Sequence, residues 1–281
     1  MIAALTAAQA MVAATARLRA AGVPDPARDA RLLLAHAARI EASRVTLIAP
    51  EELAPDIAER YDTLVSLRAV RVPVSHLLGE REFYGRDFRV SRDVLDPRPE
   101  TETLIEAALS EPFDYLLDLG VGSGCILITL LAERASAVGV GVDLSEAACL
   151  QASANAVLHN VQERVEIHQS DWFADVDGVF DLIVANPPYI SSDEMRELSP
   201  EVREHEPRMA LTDEGDGLGA YRIIAASAPD YLLPGGRILV EIGPTQGAAV
   251  SALFDAAGLA DVRVIPDLDG RDRVVGARLP H

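Results

Sequence analysis

The residues best suited to chemistry are Asn186-Pro187-Pro188-Tyr189, at the end of the apolar run Asp181-Leu182-Ile183-Val184-Ala185. Two consecutive prolines fix the backbone and remove two N–H donors, so the turn offers carbonyl oxygens, with an amide side chain before them and an aromatic ring after. Such an acceptor-rich socket suits a planar –NH2 group. Asn186, Pro187 and Tyr189 are the candidate catalytic residues, and the four together, Pro188 included, are the candidate surface for the reacting group. A second stretch reads Leu117-Asp118-Leu119-Gly120-Val121-Gly122-Ser123-Gly124-Cys125. Its spacing is G-x-G-x-G, which departs from the dinucleotide fingerprint G-x-G-x-x-G. No Lys-Ser/Thr follows to make a phosphate-cradling P-loop, and Ser123 lacks the flanking glycines of a nucleophile elbow. Gly120, Val121, Gly122, Ser123 and Gly124 remain as a turn that lets a ligand approach the backbone closely, with Asn186 also within its reach. Asp143 stands 143 − 124 = 19 residues after the last glycine, where a carboxylate can accept both hydrogen bonds of a ribose diol; capping the next helix is its alternative role. Asp171 and Trp172 could frame the edge and face of an adenine.

These residues need elements to hold them. From Leu5 to Leu78 the pattern is helical: Thr6 and Gln9 form a capping box for a helix ending near Ala20, and Asp25 with Pro26 opens a second. A third is expected from Pro55 to Val70. Arg28, Asp29 and Arg31 are expected on a solvated face, as is the polar stretch Glu204-His205-Glu206. Around Phe83, Gly85, Phe88, Val90 and Val94 the period becomes two, with a Ser91-Arg92-Asp93 turn, which predicts a short hairpin. Beyond Thr101, helices alternate with apolar runs at 115–119, 137–143, 165–169, 180–185, 237–242, 262–265 and 273–278. That order predicts an α/β fold, a doubly wound, mostly parallel seven-stranded sheet preceded by a small helical bundle and a β-hairpin linker. The expected division is 1–79, 80–98 and 99–281. Ligands of such sheets bind beyond the carboxyl ends of the strands, and the candidate residues all sit in loops that follow strands.

Composition narrows the function. The net charge of −19 comes from 25 basic residues, all of them arginine, against 44 acidic ones. That balance disfavours a nucleic-acid substrate and favours a basic protein partner. No apolar stretch is long enough to span a membrane, and the alanine-rich N-terminus, residues 1–21, lacks the layout of an export signal. Two cysteines, Cys125 and Cys149, form neither a disulfide framework nor a metal motif, so the expectation is a cytoplasmic protein with no metal, monomeric by default.

With these motifs together, the sequence resembles the class I S-adenosylmethionine-dependent methyltransferases, and among them the bacterial release factor glutamine methyltransferases. The resemblance spans the whole chain: besides 186–189 it includes Gly79, Phe83-Tyr84-Gly85, Arg98-Pro99-Glu100-Thr101-Glu102, Glu206-Pro207, Asp216-Gly217-Leu218, Glu241-Ile242-Gly243 with Gln246-Gly247, and 267–273. Val121 departs from the family's frequent threonine at a position where a backbone contact does not depend on the side chain. The resemblance implies that the glycine loop, Asp143 and Trp172 bind S-adenosylmethionine, that 186–189 hold a substrate glutamine, and that the substrate is a class 1 peptide-chain release factor methylated at the glutamine N5. It also implies that residues 1–79 serve substrate recognition. Arg98 and Glu100 are candidates for closing over the cofactor, with helix entry as the alternative for Glu100. A ribosomal-protein glutamine, a nucleic-acid amino group and a non-catalytic cofactor-binding module are the competing functions.

Overall fold

The computed structural model describes residues 5–281. Residues 1–4 of the expected helical domain lie outside the described residues. The chain forms two compact units. One is the chain up to Glu80 together with Ser199–His205; the other is Arg81–Leu198 with Glu206–His281.

In the helical unit, α1 (Ala7–Ala20) opens with the expected capping box: the Gln9 N–H donates to Thr6 Oγ1 (3.3 Å) and the Thr6 N–H to Gln9 Oε1 (2.9 Å). Asp25 caps α2 (Pro26–Ala38), with Pro26 in its first turn. Three more helices follow, α3 (Val45–Ile48), α4 (Pro55–Ala69) and α5 (Val74–Leu78). Leu18, Leu33, Leu34, Tyr61 and Val65 form the centre of their core, and the Tyr61 hydroxyl donates to the Ala30 carbonyl (2.9 Å). Arg28 is exposed as expected, but Asp29 is not on a solvated face. It is buried and accepts from Arg68 Nε at 2.7 Å. Arg68, buried too, also lies 3.0 Å from Glu201, and Arg71 pairs with both Glu201 oxygens at 2.7 and 2.5 Å. Burial raises the Glu201 pKa, but hydrogen bonds from Arg71 and Arg68 outweigh it and hold the carboxyl below its usual range. Buried charges persist only when paired in this way. Helical periodicity could not reveal the pairing, because the partners of Asp29 are far along the chain.

A hairpin, β1 (Glu80–Phe83) and β2 (Arg86–Arg89), stands at the start of the second unit, its first residue, Glu80, being the last of the helical one. The reversal falls at Tyr84-Gly85, both with positive φ, as a tight hairpin turn requires; the Ser91-Arg92-Asp93 turn follows β2 instead. Phe83 and Phe88 meet edge to face at 6.2 Å and join the core beneath. Then come α6 (Glu102–Leu109), β3 (Tyr115–Leu119), α7 (Cys125–Glu133), β4 (Val138–Asp143), α8 (Glu146–Leu158), β5 (Val165–Gln169), β6 (Phe180–Ala185), α9 (Pro200–His205, in the helical unit), α10 (Gly219–Tyr231), β7 (Leu232–Glu241), α11 (Gly247–Ala256), β8 (Ala260–Pro266) and β9 (Asp272–Arg278).

The seven strands take the order β5-β4-β3-β6-β7-β9-β8, and β9 runs against the direction of the other six. This is the expected doubly wound, mostly parallel sheet. Side chains alternate between two cores: Leu116, Leu182 and Val184 on one face, Leu117, Leu119, Ile183 and Ala185 on the other. Two buried faces explain why the central strands read as continuous apolar runs. β7 starts earlier than the apolar pattern suggested, at Leu232; its Pro-Gly-Gly stretch is accommodated where the register with β6 shifts. The strand order reverses between β3 and β6, so a crevice opens beyond their carboxyl ends. Among the described residues no helix is long and apolar enough to cross a membrane.

Candidate active site

A cavity of about 630 Å3 occupies that crevice, within the size range of small-molecule sites. Of the candidate residues, Gly120, Val121, Gly122, Ser123, Asp143, Asp171, Trp172, Asn186 and Pro188 line it. Gly124, Pro187 and Tyr189 are not among the residues that line it.

The glycine loop connects β3 to α7. Gly120, Gly122 and Gly124 all have positive φ, and a Cβ on Gly124 would meet Ile128 Cδ1 at 2.7 Å, so helix packing as well as conformation requires glycine there. Asp143, at the end of β4, accepts from Gly122 N and Ser145 N, both at 2.9 Å, one to each carboxylate oxygen. Capping of α8 falls to Ser145, whose Oγ accepts from Ala148 N. Each Asp143 oxygen keeps a lone pair for a ligand. Burial pushes the Asp143 pKa upward, against these N–H donors. Asp118, wholly buried one strand inward, is pushed up to about 7 by desolvation, with the Leu127 N–H opposing. After β5, Ser170 bonds to the Trp172 carbonyl (2.9 Å) and accepts from Asp175 N (3.0 Å), holding Trp172 in a left-handed backbone conformation, while Asp171 is exposed. Cys125 is also at the wall; burial drives its thiol up to about 12, which leaves no thiolate nucleophile at neutral pH.

Asn186 follows β6, and its Nδ2 donates to Thr101 Oγ1 at 3.4 Å. That leaves Oδ1 as a free acceptor, the orientation an amino-group socket needs. Behind it the Tyr189 ring packs against the second core, and burial, aided by the charge of Glu241, pushes its phenol up to about 12. Gln246 Nε2 donates to the carbonyls of Tyr189 (2.9 Å) and Gly217 (3.2 Å), while its Oε1 accepts from Gly243 N (3.0 Å). Gly217 approaches the Tyr189 carbonyl so closely that a Cβ there would collide with it. Glu241, at the end of β7, is buried and raised to about 7, first by desolvation, with the Thr101 hydroxyl and then Arg273 favouring its charged form.

The far rim of the cavity is built by residues 207–210 and 212–214. Just before it, Glu206 is buried rather than solvated, and Arg98 Nη2 donates to both its oxygens at 2.7 Å. Arg98 thus reaches the cavity wall, whereas Glu100 is exposed in the short turn Pro99–Thr101 that enters α6. Thr101, Gln246, Gly217 and Glu206 were not singled out as site residues from the sequence, although all fall in segments that carry the family resemblance. Among the described residues no cluster of His, Cys, Asp or Glu is arranged to hold a metal ion.

Residues 9–79 match the family described as PrmC N-terminal domain, and residues 90–216 that described as Methyltransferase small domain. The release factor glutamine methyltransferase of Cereibacter sphaeroides is 58% identical over 276 residues, covering 98% of this chain and 99% of that one. The chain belongs to the release factor glutamine methyltransferase family. The family member of Caulobacter vibrioides is 42% identical, covering 96% of each chain. A bifunctional methyltransferase of Rickettsia felis is 34% identical over 95% of this chain, which spans 57% of that longer protein. In fold, the second unit's architecture is shared with a methyltransferase from Pyrococcus furiosus, with a TM-score of 0.54, 15% identity and coverage of 71% of this chain and 91% of that one. Membership of the family makes the chain a methyltransferase, and the crevice lined by Asp143 and Asn186 is its candidate catalytic centre.

Proposed function

We propose that this methyltransferase transfers a methyl group from S-adenosylmethionine to the side-chain N5 of the glutamine in the Gly-Gly-Gln motif of class 1 peptide-chain release factors. The observation that carries the reading is the Asn186 carboxamide: its NH2 is turned toward Thr101, so its oxygen is free beside the carbonyls of a double-proline turn. The full-length relatives that carry the release factor name support the same substrate.

The wall residues fit the donor molecule. The Asp143 lone pairs suit the ribose hydroxyls, Trp172 and Asp171 suit the adenine, and the glycine loop leaves backbone for close approach. When bound, S-adenosylmethionine supplies an electrophilic methyl on a positively charged sulfonium. The task of the chain is then to make an amide nitrogen nucleophilic, because its lone pair is normally delocalised into the carbonyl. Acceptance of the two N–H bonds by Asn186 Oδ1 and the Pro187 carbonyl would draw electron density back to nitrogen and aim its lone pair. Pro188 shapes the wall, and Tyr189 anchors the turn from behind through its carbonyl bond to Gln246. Orientation of this kind contributes up to about 7–11 kcal/mol in well-aligned systems. The charge of −19 would draw a basic partner surface toward the mouth of the site.

The test is transfer of a labelled methyl from S-adenosylmethionine to unmethylated class 1 release factor, with mass spectrometry of the Gly-Gly-Gln peptide. A mark on that glutamine is the expected result. Absence of transfer to a correctly folded factor by enzyme that binds the donor would overturn the substrate, and labelling of a ribosomal protein under the same conditions would replace it.

A further inference from the structure

Pro187 and Pro188 carry no N–H, so the acceptor turn cannot be pinned by donors of its own at those positions and depends on the residues that follow. Three bonds hold them. The Tyr189 carbonyl accepts from Gln246 Nε2 at 2.9 Å, the Ile190 N–H donates to the Leu211 carbonyl at 2.9 Å, and the Ser192 N–H donates to the Gly215 carbonyl at 3.0 Å. Gln246 Nε2 also donates to the Gly217 carbonyl at 3.2 Å, so each of these anchors engages the segment 211–217. That segment is neither helix nor strand, and glycines at 215, 217 and 219 make it costly to order. One side chain gathers it. Asp213 Oδ1 accepts from Gly215 N at 2.9 Å and Gly217 N at 3.0 Å, and Oδ2 from Gly219 N at 2.7 Å. Gly219 opens α10, and the residue before it, Leu218, offers no side-chain cap, so the carboxylate serves there as well. Burial raises the Asp213 pKa, but the N–H bonds from Gly219, Gly215 and Gly217 outweigh it and hold the carboxyl below its usual range. Wrapped in this way, the loop brings Gly217 so close to the Tyr189 carbonyl that only glycine fits.

We propose that Asp213 is a positioning residue for methyl transfer: by gathering the N–H groups of Gly215 and Gly217 it fixes the segment on which the exit of the double-proline turn rests, and so sets where the Asn186 oxygen and the Pro187 carbonyl stand. The inference rests on the proposed amide chemistry for its catalytic meaning, but the anchoring itself is a property of the protein alone. Asp213 lines the cavity, yet three of the roughly four acceptor sites of its carboxylate are taken by backbone. It therefore acts through the loop and not on the substrate.

The experiment removes the carboxylate and then restores part of it. In full-length Asp213→Ala, backbone hydrogen exchange followed by NMR should show protection lost at Gly215, Gly217 and Gly219, and lost also at Ile190 and Ser192, which do not touch Asp213. Methyl transfer to release factor should fall roughly 10- to 100-fold in kcat, as for misplaced catalytic groups, with KM and donor affinity within about twofold. Asp213→Asn keeps one acceptor oxygen for Gly215 and Gly217 and turns its NH2 toward Gly219. It should restore protection at Gly217, Ile190 and Ser192 and bring kcat back to within about threefold of the wild type. Ile190 and Ser192 still protected in Asp213→Ala, or turnover kept while they are exposed, would overturn the proposal. So would an Asp213→Asn protein protected at Gly217 and Ile190 but as slow as Asp213→Ala, since capping of α10 would then be the whole role. Should Asp213→Ala not fold, Asp213→Ser, whose single hydroxyl reaches the N–H two residues on, is read at the same amides: Ile190 exposed with kcat lowered supports the anchoring, and both unchanged refutes it. Failure of the wild type to methylate release factor, with protection of Ile190 dependent on Asp213, would overturn the substrate and leave the anchoring standing.

Discussion

Along residues 120–124 the cavity wall is backbone shaped by three glycines at alternate positions, and the carboxylate of Asp143 is tied to that same loop at 2.9 Å. Along 186–189 the wall depends on Thr101, Gly217 and Gln246, which arrive from three separate segments. The first wall tolerates solvent and a half-exposed acid; the second is enclosed, with a carboxylate held in the interior. Under the proposed function, the locally assembled wall binds the donor and the wall supported from distant segments orients the weak nucleophile. Damage to the first should therefore appear as affinity and damage to the second as turnover.

The sharpest break of this contrast is Asn186→Ala. Loss of one preorganised polar contact is worth roughly 10²- to 10³-fold in kcat, and calorimetry should find donor affinity nearly unchanged. Next is Asp143→Ala, expected to weaken donor binding by about 10- to 150-fold, the equivalent of roughly 1.5–3 kcal/mol for a charged hydrogen bond, with kcat at saturation largely kept. Equal effects of both variants on both quantities would erase the distinction between the walls. Gly217→Ala, far from the glycine loop, should displace the Tyr189 carbonyl and strain a positive φ; a loss of about 1–2 kcal/mol in denaturant unfolding with lower kcat and normal donor affinity is expected.

The smallest effect is in pH. Glu241 has its pKa raised from 4.5 to about 7, so the folded state holds an extra proton between those values. Its contribution to stability is thus greatest at the acid end of that window and declines as pH rises through it. Glu241→Gln should flatten this trend relative to the wild type, measured by chemical unfolding across the same pH window.

Contiguity decided what the sequence could disclose. The glycine loop, Asp143 and the double-proline turn were legible because each is a short run whose chemistry is written in adjacent residues, and the sheet followed from apolar runs at regular intervals. Thr101 lies 85 residues from Asn186, and Gln246 lies 57 from Tyr189, distances at which no spacing rule operates. Asp29 and Glu206 looked like surface acids for the same reason, since their arginines stand 39 and 108 residues away.

The pairing of Glu201 with Arg68 and Arg71 bears on how this helical unit can be moved between proteins. Because α9 comes from the middle of the catalytic sequence, the helical unit is not a cassette that one cut after residue 80 could release. Such an excision would take from Arg71 its carboxylate partner and from the buried Arg68 one of its two, Asp29 remaining. Any exchange of this helical unit, natural or designed, has to transplant two pieces of chain at once.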